Sequence, residues 1–245
     1  MERQTEIRTP DGIARGFLYT AEGGAQSPGV IQLTDIRGIR PASRDFAKTL
    51  AARGFTVLLP NVYYRTEEAP LWDVNHKPGD ESSEKRFAEL RAPLTPDAMQ
   101  RDGASFVDYL GSQEGVKAGP MGVVGFCFTR SMAMRIAALS PDQIPAAASF
   151  HGGRLFVDSP ASPHLLLPKI KARLYFGHAV EDRGMPKEAI AKFEEALQTW
   201  GGKFESETYD GARHGWTQID SGVYNQPQAE RAFEKLGQLF DATLK

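Results

Sequence analysis

Short apolar runs alternate with amphipathic segments along most of the chain. A five-residue apolar run such as Phe55–Leu59 is typical of a buried strand, whereas apolar residues spaced three and four apart indicate one face of a helix. The alternation predicts an α/β fold, a mostly parallel sheet with helices on both faces. Strands are predicted at Thr5–Arg8, Ile13–Tyr19, Gly29–Leu33, Phe55–Leu59, Met121–Gly125, Ala146–Phe150, Ala172–Phe176 and Phe204–Tyr209. Helices are predicted at Ala42–Arg53, Phe128–Leu139, Pro186–Trp200 and Gln228–Leu239.

The segment Asn61–Pro96 breaks this alternation. It is polar, rich in proline and weakly periodic. A stretch of this length without regular structure inside a compact domain is usually a functional loop or lid. We therefore expect one α/β domain over residues 1–245, with an insert at about 61–96 that covers the carboxyl edge of the sheet, where ligands bind in open α/β folds.

Composition narrows the function classes. The 245 residues are 41% hydrophobic and 24% charged with a formal net charge of −2, so no basic field favours nucleic acid or an anionic membrane. No apolar run approaches the ~18 residues of a membrane span, and residues 1–12 lack the apolar core of a signal peptide, so we expect a cytoplasmic protein. The single cysteine excludes an internal disulfide, and no histidine pair has metal-ligand spacing; no metal and no cofactor are expected.

A candidate nucleophile lies where the strand ending at Gly125 meets a helix. Gly125-Phe126-Cys127-Phe128-Thr129 has the strand, sharp turn and helix that a nucleophile elbow requires. The turn lifts the Cys127 side chain out of the sheet, and the helix N-terminus favours negative charge beside it. The backbone N–H of Phe128 is therefore a candidate oxyanion donor. The alternative is that Cys127 is an ordinary buried cysteine.

The partners of such a nucleophile follow it in chain order as an acid and then a histidine. Asp182 lies in the loop after the strand Ala172–Phe176, and His214 lies in the loop before the last helix. His214 would take the thiol proton and later protonate the leaving group, while Asp182 would orient the imidazole. The neighbouring Glu181 is an alternative acid. The non-catalytic alternatives are that Asp182 caps a helix and that His214 is an ordinary surface-loop histidine. His151, after the strand Ala146–Phe150, is expected to line the same cleft.

Taken together, these motifs resemble the dienelactone hydrolase (carboxymethylenebutenolidase) family over nearly the whole chain. The most specific likeness is cysteine in place of serine in the elbow. The other matching stretches are Val30-Ile31-Gln32 followed by Gly38, Ala51–Phe55, Leu59–Tyr63 and His214-Gly215-Trp216. The resemblance implies an α/β-hydrolase core with a Cys–His–Asp triad and an oxyanion hole made by the backbone N–H groups of Ile36 and Phe128. It also implies a monomer, although a dimer stays open, and it places Trp216 beside the site.

Two departures from the family pattern concern the thiol. Family members carry a glutamate before the first oxyanion donor, which can hold the resting thiol neutral; Asp35 occupies this place, unless it is simply an aspartate in a solvated turn. The family elbow continues with two glycines, whereas this chain has Thr129 and Arg130. We expect the bulkier Thr129 to direct its hydroxyl toward the cleft.

A third departure concerns substrate charge. An arginine four residues after the histidine binds the substrate carboxylate in the family, and Gln218 stands there in this chain. An amide supplies no charge, so uncharged esters or lactones are expected to be preferred unless Arg130 or a cation of the insert takes over. Candidates in the insert are Lys85, Arg86 and Arg91, for which a solvated charged face is the alternative.

The sequence thus predicts a hydrolase that cleaves carboxylic ester or lactone bonds of small molecules through an acyl-enzyme on Cys127. A thioesterase or acyl transferase would use the same chemistry. A non-catalytic binding protein that kept the fold is the alternative from another class. The three triad residue types are present in chain order, which argues against decay of the site.

Overall fold

The computed structural model describes residues 1–21, 26–66 and 80–245. Within these ranges eight strands form one sheet: β1 (Glu2–Thr9), β2 (Gly12–Tyr19), β3 (Ser27–Gln32), β4 (Thr56–Pro60), β5 (Val116–Phe126), β6 (Ala146–Phe150), β7 (Arg173–Glu181) and β8 (Phe204–Arg213). The helices are α1 (Pro41–Ala52), α2 (Glu81–Arg91), α3 (Pro96–Gly111), α4 (Arg130–Leu139), α5 (Lys187–Trp200) and α6 (Gln226–Leu244). Short 3₁₀ turns span Cys127–Thr129 and Pro163–Lys169.

The strand order β1-β2-β4-β3-β5-β6-β7-β8 confirms the predicted α/β fold. The hairpin β1–β2 is antiparallel and adds antiparallel to β4, and every other pair is parallel. From β3 the chain moves to β4 on one side and then to β5 on the other, so the order reverses between β3 and β5. A crevice opens at the carboxyl ends of strands where the order reverses, which places the loops after β3 and β5 side by side.

Each face of the sheet is covered because successive side chains of a strand point to opposite faces. In β5, Val123 packs with α3 and α4, and Val124 packs with α6. Helix α5 covers the first face and α1 the second, so the central strands are buried on both faces. Gly122 allows close packing of α6, since a Cβ there would come within 2.7 Å of the Phe240 ring.

The structure contains two helices that the apolar pattern does not predict. Helix α2 lies inside the predicted insert and buries little besides Phe87 and Leu90, so its sequence shows almost no periodicity. Helix α3 begins at Pro96 behind Thr95, whose hydroxyl accepts the N–H of Ala98 at 3.2 Å. Residues 67–79 of the insert, His76 among them, lie outside the described residues.

Among the described residues, no helix is long and apolar enough to cross a membrane.

Candidate active site

The elbow follows β5 directly. Cys127 has a φ of 55°, in the left-handed region that costs a non-glycine residue backbone strain. Such strain is typical of functional sites, where the surrounding structure holds it. Gly125 makes the turn possible, because a Cβ at this position would lie 2.7 Å from the carbonyl oxygen of Thr129.

The Thr129 side chain hydrogen-bonds to the backbone of the elbow. Its hydroxyl accepts the Phe126 N–H at 2.9 Å and donates to the Phe126 carbonyl at 2.9 Å, and the residue is fully buried. The hydroxyl therefore satisfies the backbone where β5 ends and does not point to the cleft, contrary to the expectation from sequence. This side chain takes the room that a glycine would leave empty.

Cys127, His214 and Asp182 form one hydrogen-bonded line. The Nε2 atom of His214 lies 3.2 Å from the Cys127 sulfur, and its Nδ1 lies 2.6 Å from Oδ2 of Asp182. The other oxygen of Asp182 accepts the Gly184 N–H at 2.8 Å, and this carboxylate is only 4% exposed. The rival Glu181 is 72% exposed and pairs with Arg213 at the surface. The structure thus places Asp182, and not Glu181, behind the imidazole.

The charge on His214 is set by these two neighbours. Burial lowers the pKa of His214, but the hydrogen bonds to Asp182 and Cys127 and the charges of both groups raise it to about 10. One edge of the imidazole is open to solvent, since 39% of the side chain is exposed, yet both ring nitrogens face protein groups. His214 is therefore the positively charged imidazolium at neutral pH.

His151 and Trp216 lie behind His214 instead of lining open space. The rings of His151 and His214 meet edge to face with centroids 5.2 Å apart, and Trp216 covers His151 at 5.3 Å. His151 is 1% exposed and its Nε2 lies 2.8 Å from the Thr217 hydroxyl. Burial holds the pKa of His151 well below its usual value, so it presents a neutral ring to His214.

Ile36 lies in a tight turn after β3, at the reversal point of the strand order. The Gly38 N–H donates to the Asp35 carbonyl at 3.0 Å, and the Tyr63 hydroxyl donates to the Ile36 carbonyl at 3.1 Å. The Tyr63 ring also stacks on that of Phe128 with centroids 5.5 Å apart. Tyr63 thus connects the two residues whose N–H groups were expected to form the oxyanion hole, a connection that its sequence context does not signal.

Asp35 and Gln218 meet a guanidinium that sequence reasoning missed. Arg40 donates to both carboxylate oxygens of Asp35, at 2.6 and 2.9 Å, and to Oε1 of Gln218 at 2.9 Å. Asp35 therefore faces a cation, and no hydrogen bond among the described residues joins it to Cys127. Gln218 thus contacts the guanidinium of Arg40, which is already paired with Asp35.

A cavity of about 400 Å³ opens beside Phe128. Three arginines line it: Arg91 from the end of α2, Arg130 from the start of α4 and Arg154 from the loop after β6. Arg130 donates to the Cys127 carbonyl at 3.2 Å, and its buried Nε has no hydrogen-bond partner in the described part of the chain. Burial lowers the pKa of Arg130 to about 10, although the field of Cys127 acts in the other direction. No carboxylate of the described residues forms an ion pair with the Arg130 guanidinium.

Of the three candidate cations in the insert, only Arg91 lines this cavity. Arg86 pairs with Glu89 on the surface of α2, and Lys85 is exposed, whereas Arg91 reaches the cavity. Arg154 was not predicted. Its position directly after Gly152-Gly153, in the loop that follows β6, is the sequence signal that could have found it. No cluster of metal-ligating side chains occurs in the described part of the chain.

Comparison with known proteins agrees with this architecture. The sequence profile of the dienelactone hydrolase family matches residues 14–244. A carboxymethylenebutenolidase of Rhodococcus opacus is 28% identical over 208 residues, covering 84% of this chain and 77% of that protein. A solved protein of Klebsiella pneumoniae shares the fold with a TM-score of 0.85 at 19% identity, covering 98% of both chains. A dienelactone hydrolase-like promiscuous phosphotriesterase from metagenomic libraries gives a TM-score of 0.82 at 18% identity, covering 100% of this chain and 99% of that one. This chain belongs to the dienelactone hydrolase family.

Proposed function

We propose that this protein hydrolyses carboxylic esters or lactones of small molecules, with Cys127 as nucleophile, His214 as general base and acid, and Asp182 as the group that orients His214. The observation that carries the proposal is the line from sulfur to imidazole to carboxylate, at 3.2 and 2.6 Å, on a strained elbow. Family membership supports the reaction class.

In the first half of the reaction the sulfur attacks the carbonyl carbon while its proton resides on His214. The carbonyl oxygen becomes an oxyanion, which the N–H groups of Phe128 and Ile36 would stabilise. Phe128 is in the first turn after the elbow, where backbone N–H groups have no partner within the helix. Collapse of the tetrahedral intermediate breaks the ester C–O bond, and His214 gives its proton to the leaving oxygen. A thioester on Cys127 and a free alcohol result.

The second half repeats these steps with water. His214 removes a proton from water, the hydroxyl attacks the thioester carbon, and the same N–H groups receive the negative charge. The C–S bond breaks, the sulfur leaves, and the carboxylic acid is released. Asp182 keeps Nδ1 of His214 protonated through both halves, so that Nε2 faces the sulfur.

We also propose that the substrate carries a negative charge on its acyl part. The expected preference for uncharged substrates had one condition, that no other cation replaces the arginine missing at position 218. Arg130 supports the opposite preference, because its half-buried guanidinium lies beside the elbow without a carboxylate partner among the described residues. An anion in the cavity would pair with Arg130, and the exposed Arg91 and Arg154 would steer it there.

The nucleophile is tested with p-nitrophenyl acetate. Cys127→Ala should abolish hydrolysis, because losing the triad nucleophile costs on the order of 10⁶ in kcat in the protease subtilisin. Cys127 is the one cysteine of the sequence, so an acetyl group trapped on it by acid quench and found by mass spectrometry is unambiguous. A variant that kept more than about a tenth of the activity would contradict the assignment, since that loss lies far below the expected one.

The fate of the acyl group separates hydrolysis from acyl transfer. With water as the acceptor, the ratio of acid to alcohol released should stay at one when a small thiol or alcohol is added. Preferential capture of the acyl group by the added acceptor would make the protein a transferase, and binding of the ester without any release of alcohol would make it a binding protein.

A further inference from the structure

Several hydrogen bonds fix the orientation of the turn that carries Ile36. The Asp35 carbonyl is held by the Gly38 N–H, and because the peptide unit is planar and trans, the Ile36 N–H must point the opposite way. The Asp35 carboxylate accepts the Arg37 N–H at 3.0 Å, and Gly38 takes the left-handed conformation that ends the turn, with a φ of 69°. The direction of this N–H therefore depends on where the Asp35–Gly38 turn lies.

Arg40 ties that turn to a distant part of the chain. Its guanidinium donates to both oxygens of Asp35 and to the Gly38 carbonyl at 3.3 Å on one side. On the other side it donates to Oδ2 of Asp220 through Nε at 2.7 Å and to Gln218 at 2.9 Å. Only 10% of the Arg40 side chain is exposed, so these contacts form in a partly dry environment in which ion pairs are strong.

The far side of this contact belongs to the loop that carries the imidazole. The Gln218 N–H donates to the Gly215 carbonyl at 3.1 Å, one residue after His214, and the Ser221 N–H donates to the Gln218 carbonyl at 2.9 Å. Successive turns therefore connect His214 to Asp220 with little freedom. A second guanidinium, that of Arg37, also binds Asp220, at 2.7 Å.

We infer that Arg40 is a positioning residue for acyl transfer: its guanidinium fixes the turn that presents the Ile36 N–H relative to the loop that carries His214. Arg40 thereby keeps the distance between the Ile36 N–H, which binds the oxyanion, and His214, which protonates the leaving oxygen, constant. The inference rests on the acyl transfer at Cys127 proposed above. It also assigns Asp35 to this ion-pair cluster instead of to control of the resting thiol.

The charge balance of the cluster supports this assignment. Two guanidiniums, of Arg37 and Arg40, meet two carboxylates, of Asp35 and Asp220. Asp35 consequently adds no uncompensated negative charge beside the sulfur. A group that masked the thiol would need a free oxygen directed at it, and both oxygens of Asp35 are bonded to Arg40.

The test compares two reactions of the same thiol. Ester hydrolysis passes through an oxyanion and needs the Ile36 N–H, whereas alkylation by iodoacetamide displaces iodide and forms no oxyanion. Arg40→Lys keeps the charge but cannot bridge two carboxylates with a planar fork, and Asp220→Asn weakens only one side. Because loss of one oxyanion donor costs ~10²–10³ in kcat, partial misplacement should lower kcat for p-nitrophenyl acetate by about 10-fold or more. KM and the alkylation rate of Cys127 should stay within about twofold.

Arg53 provides the matched control. It also bridges two carboxylates, of Glu234 and Asp241, but at the opposite end of α1, so Arg53→Lys should leave kcat unchanged. The inference is overturned if kcat survives in the folded Arg40→Lys and Asp220→Asn proteins, or if alkylation falls in parallel with kcat. Should Arg40→Lys not fold, Asp220→Asn alone decides, since Asp220 is 36% exposed and its loss leaves Asp35 paired. Failure of the proposed function is a separate outcome, in which Cys127→Ala remains active.

Discussion

Two arginines flank the candidate site, Arg40 buried and Arg130 half-buried, and they differ in the charges that surround them. Arg40 meets two carboxylates, Asp35 and Asp220; burial alone would lower its pKa, but these partners raise it. Within residues 1–21, 26–66 and 80–245, Arg130 hydrogen-bonds only to the Cys127 carbonyl, and burial lowers its pKa to about 10. A buried charge costs free energy unless it is paired. The contacts of Arg40 are thus satisfied within the protein, which fits the positioning role inferred above, whereas the proposed partner of Arg130 is an anionic substrate.

This comparison assumes that both arginines serve a thiol activated by His214 and Asp182, and the largest effect tests that assumption. Asp182→Asn should lower kcat by about 10⁴, as for the acid of a serine-protease triad, because the imidazole tautomer is then mis-set. The measurement is kcat on a neutral p-nitrophenyl ester. The neighbouring Glu181→Gln is the matched control and should be nearly silent, since Glu181 is 72% exposed. The reverse ranking would transfer the acid's role to Glu181.

The next effect is on stability and separates the two arginines directly. Arg40→Met leaves Asp35 buried without its partner, which costs ~3–5 kcal/mol. For a chain of this size, such a loss lowers Tm by about 6–20 °C. Arg130→Met removes a half-buried charge that has no carboxylate partner among the described residues, so its Tm should be unchanged or raised. Calorimetry of the two variants gives the answer; equal losses would mean that Arg130 has a structural partner after all.

A smaller effect concerns substrate choice. Arg130→Met should lower kcat/KM for the p-nitrophenyl monoester of adipic acid relative to p-nitrophenyl hexanoate, which has the same acyl length without the charge. An ion pair at a partly open cavity lies near the lower end of ~2–5 kcal/mol, which is about 30-fold. Arg40→Lys should slow both substrates alike.

Gln218→Arg is the control for this selectivity. It would add a cation next to Arg40 and should bring no gain on the anionic ester. An increase in that variant, together with no change in Arg130→Met, would locate the anion site at position 218.

The smallest effect is on the pH profile. His214 keeps its proton below its raised pKa of about 10 and loses it as the pH rises through that value. Since a protonated His214 donates to the leaving oxygen, kcat/KM should decline on the alkaline side near that pH. Arg130→Met should leave this decline where it is, because Arg130 acts on the substrate. A shifted decline in this variant would show that Arg130 acts through the imidazole.

The sequence predicted those parts of the site that depend on backbone order. Cys127, Asp182 and His214 each follow a strand, and parallel strands bring their carboxyl ends to one edge, so chain order was enough to nominate them. Helix α3 was missed because its buried face is interrupted by Asp102 and Gly103, which hides the apolar period.

Side-chain networks between distant loops were not predictable in the same way. Arg40 and Asp220 are 180 residues apart, and neither stands in a pattern that signals the other. Asp35 was expected near the thiol by analogy of position, but an arginine five residues later takes both of its oxygens. Arg130 was named as a candidate cation, but only the structure shows that no carboxylate of the described residues pairs with it.

Thr129 has a consequence for searching and redesigning such sequences. Its hydroxyl both accepts from and donates to the Phe126 backbone, so the second position after the nucleophile is here a built hydrogen-bonding site. A search pattern that demands glycine at this position would pass over this chain and over any relative that uses the same device. A library at this position should tolerate serine, which keeps the hydroxyl, and reject valine, which has the shape of threonine but would leave the Phe126 N–H buried without an acceptor.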